Sequence, residues 1–401
     1  MVYLIYILHF YYLFSNGGFE MLFVRTDELR PGMRLAKPIY NKNGVLLYER
    51  KSRLTIPGIN SVRNFGLIGI YILEPAEPVP PFSKEDMEFE QAQTVFMFKL
   101  RDILDKVYQR NTPEKLPILV EDVLARYGSL NHRVNFNQNL RSADDFIYKH
   151  AISTAILTAM ISQHIKMSEE SRQSLIAASL LYGFGYRFVP RNILDKVSAL
   201  TDNDQAMIQH GLEKGVSYLR TFHEEFSFLP KALSVAEYFI LSSNPERAIE
   251  HPAEEILLLA EILRVAREFD LLTGMSLGHA PESEIMAMQH LREHPEKYNE
   301  SLVSLLAKCI HIIPAGASVD LSTKDKGIVL VENPEDYLKP LILRLSDNQL
   351  YDLSLPEISR KIWIVDLMKT MDNRIEIDEH TLKLFVADQR LVEMTQRIQG
   401  K

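Results

Sequence analysis

The residues best suited to chemistry in this 401-residue chain are its 12 histidines and 53 carboxylates. Imidazole beside carboxylate holds hard and borderline cations and moves protons near neutral pH. His150 lies in a stretch whose residues repeat at three and four (Phe146, His150, Ser153, Leu157, Met160, His164), which places them on one helix face. His210 and Asp270 fall in two further helical stretches. His290 and His294 also share a helix face, but Pro295 follows at once and no carboxylate repeats at a matching spacing, so they read as a solvated helix end. His251-Pro252 reads as a helix boundary. There is no P-loop, no H-E-x-x-H and no adjacent His-Asp pair anywhere in the chain. Gly274 to Gly278 spells G-x-S-x-G at the end of a helical stretch, whereas a nucleophile elbow needs a strand before its serine. One cysteine, Cys309, excludes an internal disulfide and a thiolate metal cluster. Arg187 and Arg191 are candidate phosphate grips, with two solvated loop arginines as the plainer reading.

The elements that position these residues follow from composition and period. At 46% hydrophobic and 24% charged the chain is globular, and 17 glycines favour helix over a turn-rich sheet. A net charge of −8 leaves no basic field for nucleic acid. Residues 1–20 begin with an uncharged apolar and aromatic run, too short to span a bilayer and lacking a signal peptide's basic start. Met21 reads as the start of the soluble chain, and membrane association would require residues 1–20. Residues 21–74 read as a small α+β module, with strands at Leu35-Ala36, Val45–Tyr48 and Ile68–Leu73, a turn at Asn41–Gly44 and a helix over Ile59–Phe65. Residues 75–83, rich in proline, read as a linker. Residues 84–313 have a helical period, with caps at Ser168 and Thr201, and form one all-α domain. Residues 314–401 read as three short strands of a small β-barrel-like region followed by an amphipathic helix over Glu379–Gln399.

The helical domain resembles the HD-GYP branch of the HD phosphohydrolase superfamily. The resemblance rests on Tyr148-Lys149-His150, on Leu180 through Gly185, on Val189 through Lys196, and on Leu200-Thr201. It continues with Gln209-His210-Gly211, Gly215 and the helix Leu259 through Thr273. Residues 27–72 look like the small module that often precedes this domain, and residues 312–345 look like the β-appendage that sometimes follows it. The resemblance implies a mainly α fold with a central HD-type bundle. It also implies hydrolysis of cyclic di-GMP by iron or manganese ions held on His, Asp and Glu, with a metal-bound hydroxide attacking the phosphodiester.

The residues depart from that pattern where the metals would sit. The defining His-Asp pair falls on Tyr182 and Gly183, and the lysine that follows it in the family falls on Tyr186. The metal-binding Asp of the late helix falls on Arg267, which cannot ligate and repels cations. Ala236–Pro252 contains neither a His-His-Glu nor a Gly-Tyr-Pro segment, and Gly274–Glu282 has no phosphate-gripping arginine. His150 and His210 survive as a residual metal pair or, on the plainer reading, as core-facing histidines. Asp270 reads as structural, paired with Arg267 or a helix end, and Tyr182 and Tyr186 as fillers of the vacated cavity. Asp320-Leu321-Ser322 begins a cyclic di-GMP receptor signature, but Gly327 comes two residues late. The R-x-x-x-R spacings, Arg30/Arg34 and Arg187/Arg191, fall in other segments.

The leading expectation is a degenerate, cytoplasmic HD-GYP-like protein without phosphodiesterase activity. It carries no cofactor unless the residual site takes iron or manganese, and it binds protein partners in bacterial second-messenger signalling, with a homodimer as one arrangement. One alternative is a non-hydrolysing cyclic-dinucleotide sensor using Arg187, Arg191 or Arg267. The other is an active phosphodiesterase with a relocated site.

Overall fold

The computed structural model describes residues 20–30, 33–40, 45–50, 52, 54–65, 67, 69–74, 84–110, 112–136, 138, 141–142, 144–194, 201–222, 224–243, 252–275, 281–344 and 349–367. The apolar run at the start of the chain, the Asn41–Gly44 turn, the linker 75–83, His251 and the helix expected over Glu379–Gln399 lie outside these residues. The chain divides into two compact units. One gathers Met1–Ile39, Leu46–Phe82 and Ile313–Lys401; the other gathers Tyr40–Val45 and Ser83–Ile312.

In the first unit β1 (Glu20–Arg25), β2 (Arg34–Leu35) and β5 (Gly69–Glu74) form an antiparallel sheet in the order β1-β5-β2. The two short strands between them are β3 (Ile39–Tyr40) and β4 (Leu46–Tyr48). Helix α1 (Ile56–Asn64) starts three residues earlier than its apolar pattern suggests. Thr55 caps it by accepting a hydrogen bond from the Gly58 amide, and Pro57 fits the first turn.

The C-terminal part is a five-stranded antiparallel sheet of β6 (Ser318–Leu321), β7 (Lys326–Val331), β8 (Leu341–Arg344), β9 (Gln349–Asp352) and β10 (Ile364–Leu367), in the order β10-β6-β7-β8-β9. The expected barrel-like closure is corrected: among the described residues β9 and β10 are opposite edges of an open sheet. These two strands escaped the sequence reading because neither shows a strict alternation of apolar and polar residues.

The second unit is helical: α2 (Lys84–Tyr108), α3 (Leu116–Tyr127), α4 (Phe146–Ser162), α5 (Glu169–Leu181), α6 (Arg191–Leu194), α7 (Asp202–Leu219), α8 (Leu229–Leu241), α9 (Glu254–Thr273), α10 (Glu284–Glu293) and α11 (Glu300–Cys309). Local chemistry sets several of these starts. Ser168 caps α5 by accepting from the Ser171 amide, and Thr201 and Asp204 form a reciprocal capping box at α7. Helix α4 is the axis of the bundle. Every residue from Tyr148 to Ser162 is buried, the pattern of a helix enclosed on all sides, and α2, α3, α5, α9 and α11 pack around it. No helix among the described residues is long and apolar enough to cross a membrane.

Candidate functional site

Helix α4 delivers His150 to the centre of the bundle, and α9 delivers Asp270, which is fully buried. A charge in that position must be paired and hydrogen-bonded, and Arg141, also fully buried, supplies the pairing. Its Nη2 donates to both Asp270 oxygens, at 2.7 and 2.9 Å. Gln138 Nε2 donates to Asp270 Oδ1 at 3.0 Å and to Thr273 Oγ1 at 2.8 Å, while its own carbonyl oxygen accepts from Arg141 at 2.8 Å. His150 Nδ1 lies 2.5 Å from Asp270 Oδ2. The Arg141 side chain fits here because residue 274 is glycine: a Cβ there would stand 2.6 Å from Arg141 Nη1.

Proton positions follow from these partners. Burial alone would raise the Asp270 carboxyl, but the Arg141 charge and the His150 hydrogen bond outweigh it and hold the group below the usual carboxylate range. Asp270 is therefore ionised and accepts, so His150 Nδ1 carries the proton and Nε2 presents a lone pair. The Tyr182 hydroxyl, 2.6 Å from His150 Nε2, donates to it. Burial raises the Tyr182 phenol well above its ordinary value, so the proton stays on oxygen. Burial also pushes His150 below its ordinary value, against the pull of Asp270, so the imidazole is neutral at pH 7. Tyr182 packs edge-on against His150 and against Phe239, with centroid distances of 6.1 and 5.3 Å.

These residues do not fit a metal centre. The imidazole nitrogen with a free lone pair is capped by a phenol proton. Both oxygens of the nearest carboxylate are taken by a guanidinium, an imidazole and an amide. Among the described residues no group of three or more His, Cys, Asp or Glu side chains is placed to hold a metal ion. The four other residues of the expected pocket supply no donor set. Gly183 is buried and has no side chain, and Tyr186 lies beside Arg267. Arg267 brings a guanidinium whose side chain is 28% exposed and contacts Glu268 at 3.4 Å. His210 is exposed on α7, so the expectation of two core-facing histidines holds for His150 alone.

Two further expectations are corrected. Asp270 pairs with Arg141, which precedes α4, rather than with Arg267; nothing in the local sequence around Arg141 marks it, or Gln138, as part of a site. Of the two candidate arginines only Arg187 departs from the solvated reading: it is half-buried, pairs with Asp105 and stacks over the Tyr108 ring at 5.0 Å, whereas Arg191 is exposed, with Asp144 as its ion-pair partner.

The all-helical bundle, with a central-helix histidine set against an aspartate of a later helix, agrees with the mainly α, HD-type core expected from the sequence. Residues 135–302 match the family model of the HD domain, a span that starts just before Gln138 and ends within α11. A curated protein of Pseudomonas aeruginosa, named a cyclic di-GMP phosphodiesterase, is 21% identical over 203 residues, 51% of this chain and 49% of that protein. The chain thus spans about half the length of that relative. Over residues 135–302 the helical unit is thus similar to the HD domain.

Proposed function

We propose that this chain is a catalytically degenerate HD-GYP-like protein that acts as a binding and regulatory component of cyclic di-GMP signalling, through protein partners rather than through hydrolysis. One observation carries the reading: the Tyr182 hydroxyl occupies His150 Nε2, so the surviving histidine of the site is satisfied within the protein. Hydrolysis of a phosphodiester by metal-bound hydroxide needs a nearly complete ligand set. Here Tyr182, Gly183 and Arg267 stand where the resemblance implies His and two Asp. The relative's name supports the signalling context, and the HD domain supplies the scaffold. A mere change of substrate would keep the metals and alter only the grip on phosphate.

The test is metal content by elemental mass spectrometry on the full chain purified without chelator, together with a cyclic di-GMP hydrolysis assay. The expected result is less than about a tenth of a metal ion per chain and no linear product. Near-stoichiometric iron or manganese with turnover would overturn the proposal.

A further inference from the structure

We infer that a row of aromatic rings and cations on the helical unit is a docking surface for an acidic segment of a partner protein. The inference rests on the reading of the chain as a component that acts through protein partners, and it names the kind of partner. Three elements build the row. Helix α2 ends at Tyr108, the 3₁₀ segment Tyr182–Phe188 ends at Phe188, and α7 carries Lys214 and Tyr218 one turn apart. The Phe188 ring lies 5.9 Å from that of Tyr108 and 5.9 Å from that of Tyr218, centroid to centroid. The Tyr218 hydroxyl donates to the Val107 and Tyr108 carbonyls at 3.1 and 3.2 Å, which ties α7 to the end of α2. Each ring carries a cation: Arg187 over Tyr108, Lys214 over Phe188 and Arg110 over Tyr218, at 5.0, 4.9 and 5.9 Å from the centroids.

Two observations point to a ligand rather than to packing alone. The first is uncompensated charge. Asp105 pairs with Arg187, and Glu213, the carboxylate beside Lys214, accepts from Gln209 at 3.0 Å. Arg110 and Lys214 are exposed, and among the described residues neither has a carboxylate within ion-pair distance. The second is the backbone of Arg110, whose φ of 66° lies in the left-handed region. Glycine adopts that conformation freely and is the usual residue just past a helix end, whereas a side chain disfavours it. Arg110 holds it all the same, with its guanidinium over Tyr218.

Charge and shape select the occupant. Tyr108 is 48% exposed and Phe188 and Tyr218 are partly exposed, so apolar ring surface is open between the cations. Aromatic side chains and arginine are the residues in which the centres of protein interfaces are enriched. A row of three rings fits an extended segment whose carboxylates alternate with apolar side chains. Two uncompensated cations match a few carboxylates. They are too few for nucleic acid, whose phosphates meet a chain of net charge −8, and a second copy of the chain brings the same −8 against it.

The experiment is a fluorescence anisotropy titration of the full chain into a fluorescein-labelled peptide of alternating Glu and Leu, at low salt. Separate arms use the same peptide with Gln in place of Glu, and labelled oligothymidylate. Saturable binding of the acidic peptide is expected, with loss on replacing Glu by Gln and weakening by salt, because the cations are exposed. Lys214→Glu should weaken it about fivefold or more. Lys297→Glu, which changes the net charge equally but lies beyond α10, should leave it unchanged. Arg110→Gly should also weaken binding about fivefold while the thermal midpoint stays level or rises, a split that a merely structural Arg110 would not show. Failure of the folded chain to bind the acidic peptide, or equal effects of the two lysine variants, overturns the docking surface. Tighter binding of oligothymidylate overturns the peptide as partner. So does a dimer in sedimentation that Lys214→Glu dissolves, since the row then meets a second copy. None of these outcomes touches metal content or hydrolysis, which test the underlying reading separately.

Discussion

The Tyr182 hydroxyl satisfies the lone pair on His150 Nε2. The consequence can be measured. Tyr182→Phe keeps the ring packed against Phe239 but leaves a buried acceptor without a donor, which costs about 1–3 kcal/mol. Urea denaturation should show a lower midpoint with an unchanged slope. The loss should shrink when His150 is also replaced by Phe, because the orphaned acceptor is then gone. Equal losses in both backgrounds would mean that the hydroxyl contributes nothing through His150.

The same cluster sets a pH dependence. His150 is held neutral in the fold by burial, below its ordinary value, while in the unfolded chain it titrates near about 6.5. On acidification the unfolded chain takes up this proton before the folded one does. The stability due to His150 is therefore present above the unfolded value and is lost as pH falls below it. Asp270, held below the ordinary carboxylate value by Arg141, contributes stability that is lost only in stronger acid. The unfolding midpoint should fall between about pH 7 and about pH 5, and the fall should be smaller in His150→Gln. A wild-type midpoint that is flat across that range would show that His150 does not titrate differently in the two states.

Among elements, the contact that fixes the position of Tyr182 is a meeting of backbones. The 3₁₀ segment Tyr182–Phe188 follows α5 directly and lies on α7. A Cβ on Gly185 would stand 2.3 Å from Leu212 Cα, and one on Gly215 would stand 2.4 Å from Gly185 Cα. Gly183, the residue at the expected Asp position, meets nothing closer than 3.5 Å. Gly215→Ala should therefore cost about 1–3 kcal/mol or more by overpacking. Gly183→Ala should stay within about 0.5 kcal/mol, the range of a substitution that disturbs no packing or hydrogen bond. Thermal unfolding of the two variants checks this, and equal losses would contradict the packing argument. The resemblance marked Gly185, Gly211 and Gly215 as a pattern, but the reason for it lies between two elements and not within either.

Across the whole molecule, what could be read from the chain is what depends on neighbours in sequence. The acidic balance, the three-and-four period over 84–313, the caps at Ser168 and Thr201 and the strands that became β6, β7 and β8 are local signals, and the described elements follow them. The absence of an adjacent His-Asp pair from the chain was equally plain, since residue identity needs no fold to be seen. The partners of the site were not legible. Arg141 and Asp270 stand 129 residues apart, and His150 and Tyr182 stand 32 apart on different elements. Such pairs are chosen by which buried charges and lone pairs must find each other once the bundle closes, because leaving any of them unmet costs more than a surface contact returns. Helix packing alone brought Arg141 rather than Arg267 to the Asp270 carboxylate, exposed His210, and left Arg267 beside Arg264 on the ring of Phe239.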